Sequence, residues 1–122
     1  MTQTEPVRVL IVDDSDDQLL LLQRYFERAG CTVVGSSSAQ DAIDVFDHVD
    51  PELTVIDLVL PGIDGWELAA RLHAAHPEHP IAITSVLNEE HYPEGFFVMP
   101  KPVKAEHVRT ALRTTVDRWE AA

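Results

Sequence analysis

Cysteine, long apolar runs and an export signal are scarce or missing in this sequence. A single cysteine, Cys31, excludes a disulfide within the chain. No apolar run approaches the ~20 residues that a membrane-spanning helix needs. The N-terminal residues 1–6 lack the basic and apolar regions of a signal peptide. These absences predict a domain of the reducing cytoplasm that does not enter a membrane.

Basic residues are also few. The 122 residues include 21 acidic and 9 basic side chains, which gives a formal net charge of −12 at pH 7. Such a charge repels phosphate backbones and anionic lipid surfaces, so direct binding to nucleic acid or a membrane surface is disfavoured. The hydrophobic content of 45% is ordinary for a globular chain. The length predicts one domain over residues 1–122, with its core between about residues 7 and 119.

Short apolar runs alternate with amphipathic segments along the chain. The runs are bounded by turn-forming residues, as buried strands of a parallel sheet are, and the segments between them repeat apolar residues at helical spacing. This alternation predicts an α/β fold, a doubly wound, flavodoxin-like sheet of five parallel strands in the order 2-1-3-4-5. The strands are predicted at residues 7–12, 31–34, from 54 onward, 81–85 and 95–99.

The helices are predicted from their caps and apolar stripes. Ser38 and Asp64 are candidate N-caps of the second and third helices, because each precedes an acidic residue by three positions. The last helix is expected to carry Trp119 on its apolar face. Only ten residues, 86–95, link the fourth and fifth strands, fewer than a parallel crossover with a full helix usually takes. The fourth helix is therefore predicted to be shortened or missing, which would alter the surface that it normally forms.

Polar side chains follow the ends of four predicted strands. Asp13 and Asp14 follow the first, Asp57 ends the third, Ser85 ends the fourth and Lys101 follows the fifth. In the predicted strand order these ends meet at one crevice, where such sheets bind ligands. Three carboxylates placed together favour a hard divalent cation such as Mg²⁺. A carboxylate beside Mg²⁺ and a lysine is suited to phosphoryl transfer, with Asp57 as the nucleophile.

The same residues lie in three motifs that resemble the receiver domain of two-component response regulators. These are VLIVDD at residues 9–14, VIDLVLPGIDG at 55–65 and MPKP at 99–102, and the resemblance extends over residues 7–119. It implies that Asp57 accepts a phosphoryl group from a histidine kinase or a histidine phosphotransfer protein. Such a domain is a signalling module rather than a turnover enzyme, and it acts on a downstream protein whose identity the motifs leave open.

The resemblance also implies roles for the other site residues. Asp13 or Asp14 would hold Mg²⁺ together with Asp57 and the backbone carbonyl of Val59, and Lys101 would contact the phosphoryl group. A cis peptide is expected between Lys101 and Pro102. These roles make Mg²⁺ the expected cofactor.

The resemblance also implies a switch, made of a hydroxyl and an aromatic residue, that reports activation. This chain matches the family pattern less well at both of these positions. Counting from Pro80 gives Ser85 as the switch hydroxyl, with Thr84 as a possible rival. The aromatic residue of the switch normally stands where this chain has Val98, so Phe97, one residue earlier, is the candidate.

Several alternatives stay open at this point. A pseudo-receiver would keep the fold as a binding module without phosphorylation. A small Mg²⁺-dependent phosphohydrolase of the haloacid-dehalogenase type would use the acids around Ser15, but it gives Asp57 no role. A homodimer is possible, and the chain is either a stand-alone receiver or part of a longer protein. His73, His76 and His79 recur every third residue, but they are predicted to be exposed rather than to bind zinc.

Overall fold

The computed structural model describes residues 5–60, 62, 64–84 and 96–120 with their side chains, and residue 85 by its backbone. The strands are β1 (Val7–Val12), β2 (Cys31–Ser36), β3 (Leu53–Asp57), β4 (Ile81–Ser85) and β5 (Phe97–Pro100). The helices within these residues are α1 (Asp16–Arg28), α2 (Ala39–Val49), α3 (Gly65–Ala75) and α4 (Ala105–Thr115). The strands form one parallel sheet in the order β2-β1-β3-β4-β5. The predicted doubly wound fold is therefore confirmed.

Helices cover both faces of the sheet, and every residue of β3 is buried. Because successive side chains of a strand point to opposite faces, each strand contributes alternate residues to two cores. The first, named here the α1–α4 core, contains Leu22 and Phe26 of α1 with Val108 and Leu112 of α4. The second, the α2–α3 core, contains residues of α2 and α3 on the other face of the sheet, among them Phe46, Leu68 and Leu72.

Side-chain oxygens cap the first three helices. Ser38 Oγ accepts a hydrogen bond from the N–H of Asp41 at 3.1 Å, and Asp64 Oδ1 accepts one from Glu67 at 2.9 Å. Both caps were predicted, and each satisfies an N–H group that the helix itself leaves without a partner. Ser15 caps α1 in the same way, at 3.3 Å from the N–H of Gln18. The caps determine the residues at which α1, α2 and α3 begin, next to the sheet edge that carries the acidic residues.

Several predicted element boundaries were wrong, among them those of β5, which is Phe97–Pro100 rather than residues 95–99. β2 continues to Ser36, whose carbonyl also accepts the N–H of Asp13 at 3.0 Å. The last helix ends at Thr115, so Trp119 lies beyond it. The Trp119 indole nevertheless packs against the α1–α4 core, and its Nε1 donates to the carbonyl oxygen of Ala29 at 2.8 Å.

The histidine segment also differs from its prediction. His76 and His79 are only partly exposed, because their rings pack on Phe46 with centroid distances of 4.7 and 5.1 Å. His79 Nε2 lies 2.7 Å from Thr54 Oγ1, within hydrogen-bonding distance. Packing on an aromatic side chain therefore explains the burial, and within the described residues these histidines form no cluster of metal ligands.

The predicted shortening of the fourth helix falls on residues 86–95 and lies outside the described residues. In the part of the chain that the structure describes, no helix is both long enough and apolar enough to cross a membrane.

Candidate functional site

The acidic residues lie at the carboxyl ends of two neighbouring strands. Asp57 is the last residue of β3, and Asp13 directly follows β1, which pairs with β3 in parallel register. Asp57 is 6% exposed and Asp13 is 1% exposed, whereas Asp14 is exposed. The site thus occupies the switch point of the sheet, where the sequence predicted it.

The three carboxylates are close enough to share a cation. One oxygen from each of Asp13, Asp14 and Asp57 lies within 4.8 Å of the others. Oxygen ligands of this kind suit Mg²⁺. Asp13 Oδ2 is buried and has no hydrogen-bond partner among the described residues, which is costly unless a cation or a donor approaches it. The donor set and this unsatisfied atom fit a Mg²⁺ site.

Burial makes Asp13 electrostatically unusual. Desolvation raises the pKa of Asp13 above its ordinary value of 3.8, and the charges of Asp57 and Asp14 act in the same direction. The hydrogen bond from the N–H of Ser15, at 2.9 Å, and the charge of Lys101 oppose this rise. An added cation would oppose this rise in the pKa of Asp13, because positive charge favours the ionised carboxylate.

Lys101 supplies the one positive side chain that the structure shows in this cluster. Its Nζ lies 3.1 Å from Asp57 Oδ2 and 3.6 Å from Asp13 Oδ2. The lysine follows β5 and is mostly buried, and the peptide between Lys101 and Pro102 is cis, as expected. A compact ammonium in this position can neutralise charge on Asp57 or on a group bound to it.

The loop after β3 orients the Asp57 carboxylate. The N–H of Val59 donates to Asp57 Oδ1 at 3.1 Å, while the Val59 side chain is 60% exposed. The N–H of Gly65 donates to the carbonyl of Leu58 at 3.1 Å, which holds the start of α3 against the same loop. The two oxygens of Asp57 thus have different donors, a backbone N–H for Oδ1 and Lys101 for Oδ2.

The predicted switch residues are placed only in part. Ser85 is the last residue of β4 and pairs with Pro100, but its side chain lies outside the description. Phe97 is half-buried and packs against the α1–α4 core. Phe96 and Val98 instead pack against the α2–α3 core, and the rings of Phe96 and His73 form a T-shaped pair with a centroid distance of 5.7 Å.

Thr84, considered from the sequence only as a rival to Ser85, occupies a distinctive place. It is fully buried, pairs with Asp57 in the sheet register, and has a hydroxyl without a hydrogen-bond partner in the described residues. The sequence feature that could have pointed to Thr84 is a polar residue within the apolar run of β4.

Fold and site together define a flavodoxin-like α/β domain whose switch point carries a carboxylate cluster and a lysine. The sequence model of the response regulator receiver domain matches residues 9–113 of the chain. The chain therefore belongs to the response regulator receiver domain family.

Individual relatives agree with this assignment. The alkaline phosphatase synthesis transcriptional regulatory protein PhoP of Bacillus subtilis is 32% identical over 83 residues, which cover 68% of this chain and 35% of that protein. The virulence sensor protein BvgS of Bordetella bronchiseptica is 36% identical over 69 residues, covering 57% of this chain and 6% of that protein. The chain thus spans about a third or less of the length of these two relatives.

A solved structure shows the same fold. The crystal structure of a putative response regulator from Chloroflexus aurantiacus superposes with a TM-score of 0.84 at 25% sequence identity, and the match covers 93% of this chain and 99% of that one.

Proposed function

We propose that Asp57 accepts a phosphoryl group from a histidine kinase or a histidine phosphotransfer protein, in a reaction that depends on Mg²⁺. Phosphorylation then changes the binding of a downstream protein. The observation that supports this role is the position of Lys101 Nζ, 3.1 Å from Asp57 Oδ2 within a cluster of three carboxylates. Membership of the receiver family places the chain in two-component signalling.

The transfer needs little covalent chemistry from the protein. A carboxylate oxygen of Asp57 forms a bond to phosphorus while the phosphorus–nitrogen bond of the donor histidine breaks, and the electron pair stays with the imidazole, which takes a proton. The N–H of Val59 holds one carboxylate oxygen in place, and Lys101 offsets the charge that gathers on the phosphoryl oxygens. Positioning and charge neutralisation are therefore the main contributions of these residues.

The same carboxylates would hold the metal. Asp13, Asp14 and Asp57, with the carbonyl of Val59, are the proposed ligands, and Mg²⁺ would supply positive charge against the phosphoryl oxygens. A cytoplasmic location belongs to the same proposal, which leaves the oligomeric state open, and we expect no turnover of a separate substrate.

The first prediction tests Asp57 directly. Incubation of the chain with acetyl phosphate and Mg²⁺ should add one phosphoryl group, measured by intact mass, and chelation of the metal should prevent the gain. Asp57→Asn should abolish it, because an amide oxygen is a poor nucleophile. The matched control is Asp64→Asn, which changes a nearby carboxylate to another good N-cap and should leave phosphorylation intact. No gain in the wild-type chain would favour the pseudo-receiver.

A further inference from the structure

The 9 basic side chains of this acidic chain fall into two groups. One group forms ion pairs with carboxylates and consists of Arg8, Arg71, Lys101 and Arg118. The other group lies in α1, or in α4 and its N-cap, and consists of Arg24, Arg28, Lys104, Arg109 and Arg113. None of this second group forms an ion pair with a residue that the structure describes. The positive charge that is left without a partner is therefore concentrated on two neighbouring helices.

A cavity of about 240 Å³ lies between these two helices, and two of the arginines line it. We name it the α1–α4 cavity. Its lining residues are Tyr25, Arg28 and Ala29 at the end of α1, and Ala105 and Arg109 near the start of α4. Tyr25 also packs against the α1–α4 core, which fixes one wall of the cavity to the rigid part of the domain. The cavity thus brings two guanidinium groups together from separate elements.

Among the described residues, no acidic side chain lines this cavity. Glu27 and Glu106 adjoin lining residues along the chain and are exposed, but successive residues of a helix point about 100° apart, and neither contributes to the wall. The two arginines repel each other when no anion lies between them. Ala105 is the first residue of α4, so the positive end of that helix adds to the same potential. An anion that enters the cavity is therefore stabilised by three sources of positive charge.

The size of the cavity and its donors select the kind of anion. Its volume is below the roughly 300 Å³ at which sites for drug-sized ligands begin, so a nucleotide is too large. A guanidinium group presents its N–H donors in a planar fork that matches the two oxygens of a carboxylate, and the Tyr25 hydroxyl can donate as well. A carboxylate carries a single charge, so the net charge of −12 repels it less than it repels a phosphate dianion.

We propose that the α1–α4 cavity is a binding site for a carboxylate, which Arg28 and Arg109 hold and to which Tyr25 donates a hydrogen bond. The carboxylate is that of a small organic acid or of an acidic side chain on a partner protein. The site is separate from the Asp57 cluster, because none of the three clustered carboxylates lines the cavity. Its occupation goes beyond the proposed phosphorylation and does not require it.

The test is a titration of the isotope-labelled, unphosphorylated chain at constant ionic strength, followed by NMR chemical shifts. The two probes are succinate and a blocked peptide of alternating glutamate and alanine. Saturable shifts are expected at the end of α1 and the start of α4. Arg28→Gln and Arg109→Gln should each weaken binding about tenfold, the factor typical of a lost hydrogen bond between charged groups. Arg109→Lys should restore only part of the affinity, because an ammonium group lacks the planar fork.

Arg113→Gln is the matched control. Arg113 is another exposed arginine of α4, but it does not line the cavity, so its loss removes the same charge and should leave the affinity nearly unchanged. An equal loss of affinity in Arg113→Gln and Arg109→Gln would show general charge attraction and overturn the site, as would the absence of saturable shifts with both probes.

The two probes also distinguish the sources of the carboxylate. If the peptide binds more tightly than succinate, the carboxylate belongs to a partner protein, and if succinate binds at least as tightly, it belongs to a small acid. The phosphorylation of Asp57 is tested separately by the gain in mass with acetyl phosphate, which Arg109→Gln should leave intact. Failure of the carboxylate site and failure of the phosphorylation are therefore distinguishable.

Discussion

Gly65 is the residue at which α3 comes closest to the phosphoacceptor strand. A Cβ atom at this position would overlap the carbonyl oxygen of Asp57 and would also lie 2.5 Å from the Cα of Leu58. The obstacle is backbone, which cannot rotate away as a flexible side chain can. The absence of a side chain at Gly65 thus sets the distance between α3 and the loop that orients Asp57.

Gly65→Ala should consequently be strongly destabilising. Forcing a methyl group into a packed backbone contact costs about 3 kcal/mol, and the displaced loop should also slow phosphorylation of Asp57. Urea unfolding measures the first effect and intact mass over time the second. Gly62→Ala is the comparison, because Gly62 has a φ of +71° but an added Cβ would meet no atom of the described residues within 4 Å, so a loss of only about 1 kcal/mol is expected. Equal losses in the two variants would show that the close approach is unimportant.

The main site residues could be predicted because each follows an apolar run that must be a buried strand. Asp13, Asp57 and Lys101 are brought together by strand order alone. The position of Thr84 depends on which residue of β4 pairs with Asp57, and periodicity does not give that register. The burial of His79 depends on a ring contact with Phe46 of α2, which a local pattern of histidines does not reveal.

The segment after α4 connects two elements that are distant in sequence. Trp119 Nε1 donates to the carbonyl oxygen of Ala29, which lies at the C-terminal end of α1, where helix carbonyls lack intrahelical partners. Next to it, Arg118 pairs with Glu52 at 2.7 Å and donates to the carbonyl oxygens of Glu5 and Pro6. These contacts join α4 to α1 and to the beginning of β1, at the edge of the sheet away from Asp57.

Trp119→Phe isolates the contribution of the indole hydrogen bond, which joins the segment after α4 to α1, to the unfolding free energy. Phenylalanine keeps most of the apolar contact with the α1–α4 core but leaves the carbonyl of Ala29 without its donor, so the unfolding free energy should fall by about 1 kcal/mol. Phosphorylation of Asp57 should proceed at the wild-type rate because the substitution is remote from the site. Urea unfolding and intact mass measure the two quantities. An unchanged unfolding free energy would mean that water replaces the indole as donor.

Element types could be predicted from the sequence, but several boundaries could not, and those after β2 and α4 show why. Ser36 belongs to a serine-rich stretch typical of a turn, yet β1 is long enough to pair with it through Val12. Trp119 falls at helical spacing after Thr115, and the N–H of Trp119 does bond to the carbonyl of Val116 at 3.0 Å. The chain therefore continues to turn after the helix ends, and spacing alone cannot separate a helix from such a turn.

Viewed as a whole, the molecule carries its buried titratable groups at opposite edges of the sheet. The carboxylates of Asp13 and Asp57 lie at the carboxyl ends of the strands, whereas His79 precedes β4 and contacts Thr54 near the start of β3. Burial lowers the pKa of His79 from 6.5 to about 4, the neighbouring His76 adds to the decrease, and Asp50 opposes it. Protonation of His79 should therefore make the unfolding free energy depend on pH independently of the carboxylate site.

The sign of this dependence follows from the protons bound in each state. Between pH 6.5 and about 4 the unfolded chain protonates His79 while the folded chain keeps it neutral, so acidification stabilises the unfolded state. The His79 contribution is complete above pH 6.5 and decreases as the pH falls, by at most about 1.4 kcal/mol per pH unit. Glu52 should not interfere above pH 5, because its pKa, lowered by the hydrogen bond with Arg118, lies below the ordinary 4.5.

His79→Gln should flatten the pH dependence between pH 7 and pH 5, since glutamine can still bond to Thr54 but cannot take up a proton. The measurement is the urea unfolding free energy at pH 7, 6 and 5 for the wild type and the variant; contributions common to both, including that of Asp13, cancel in the difference. The control His48→Gln removes an exposed imidazole and leaves His79 in place, so it should retain the slope that His79 causes. If His79→Gln and the wild type show parallel curves, the acid sensitivity originates elsewhere in the molecule.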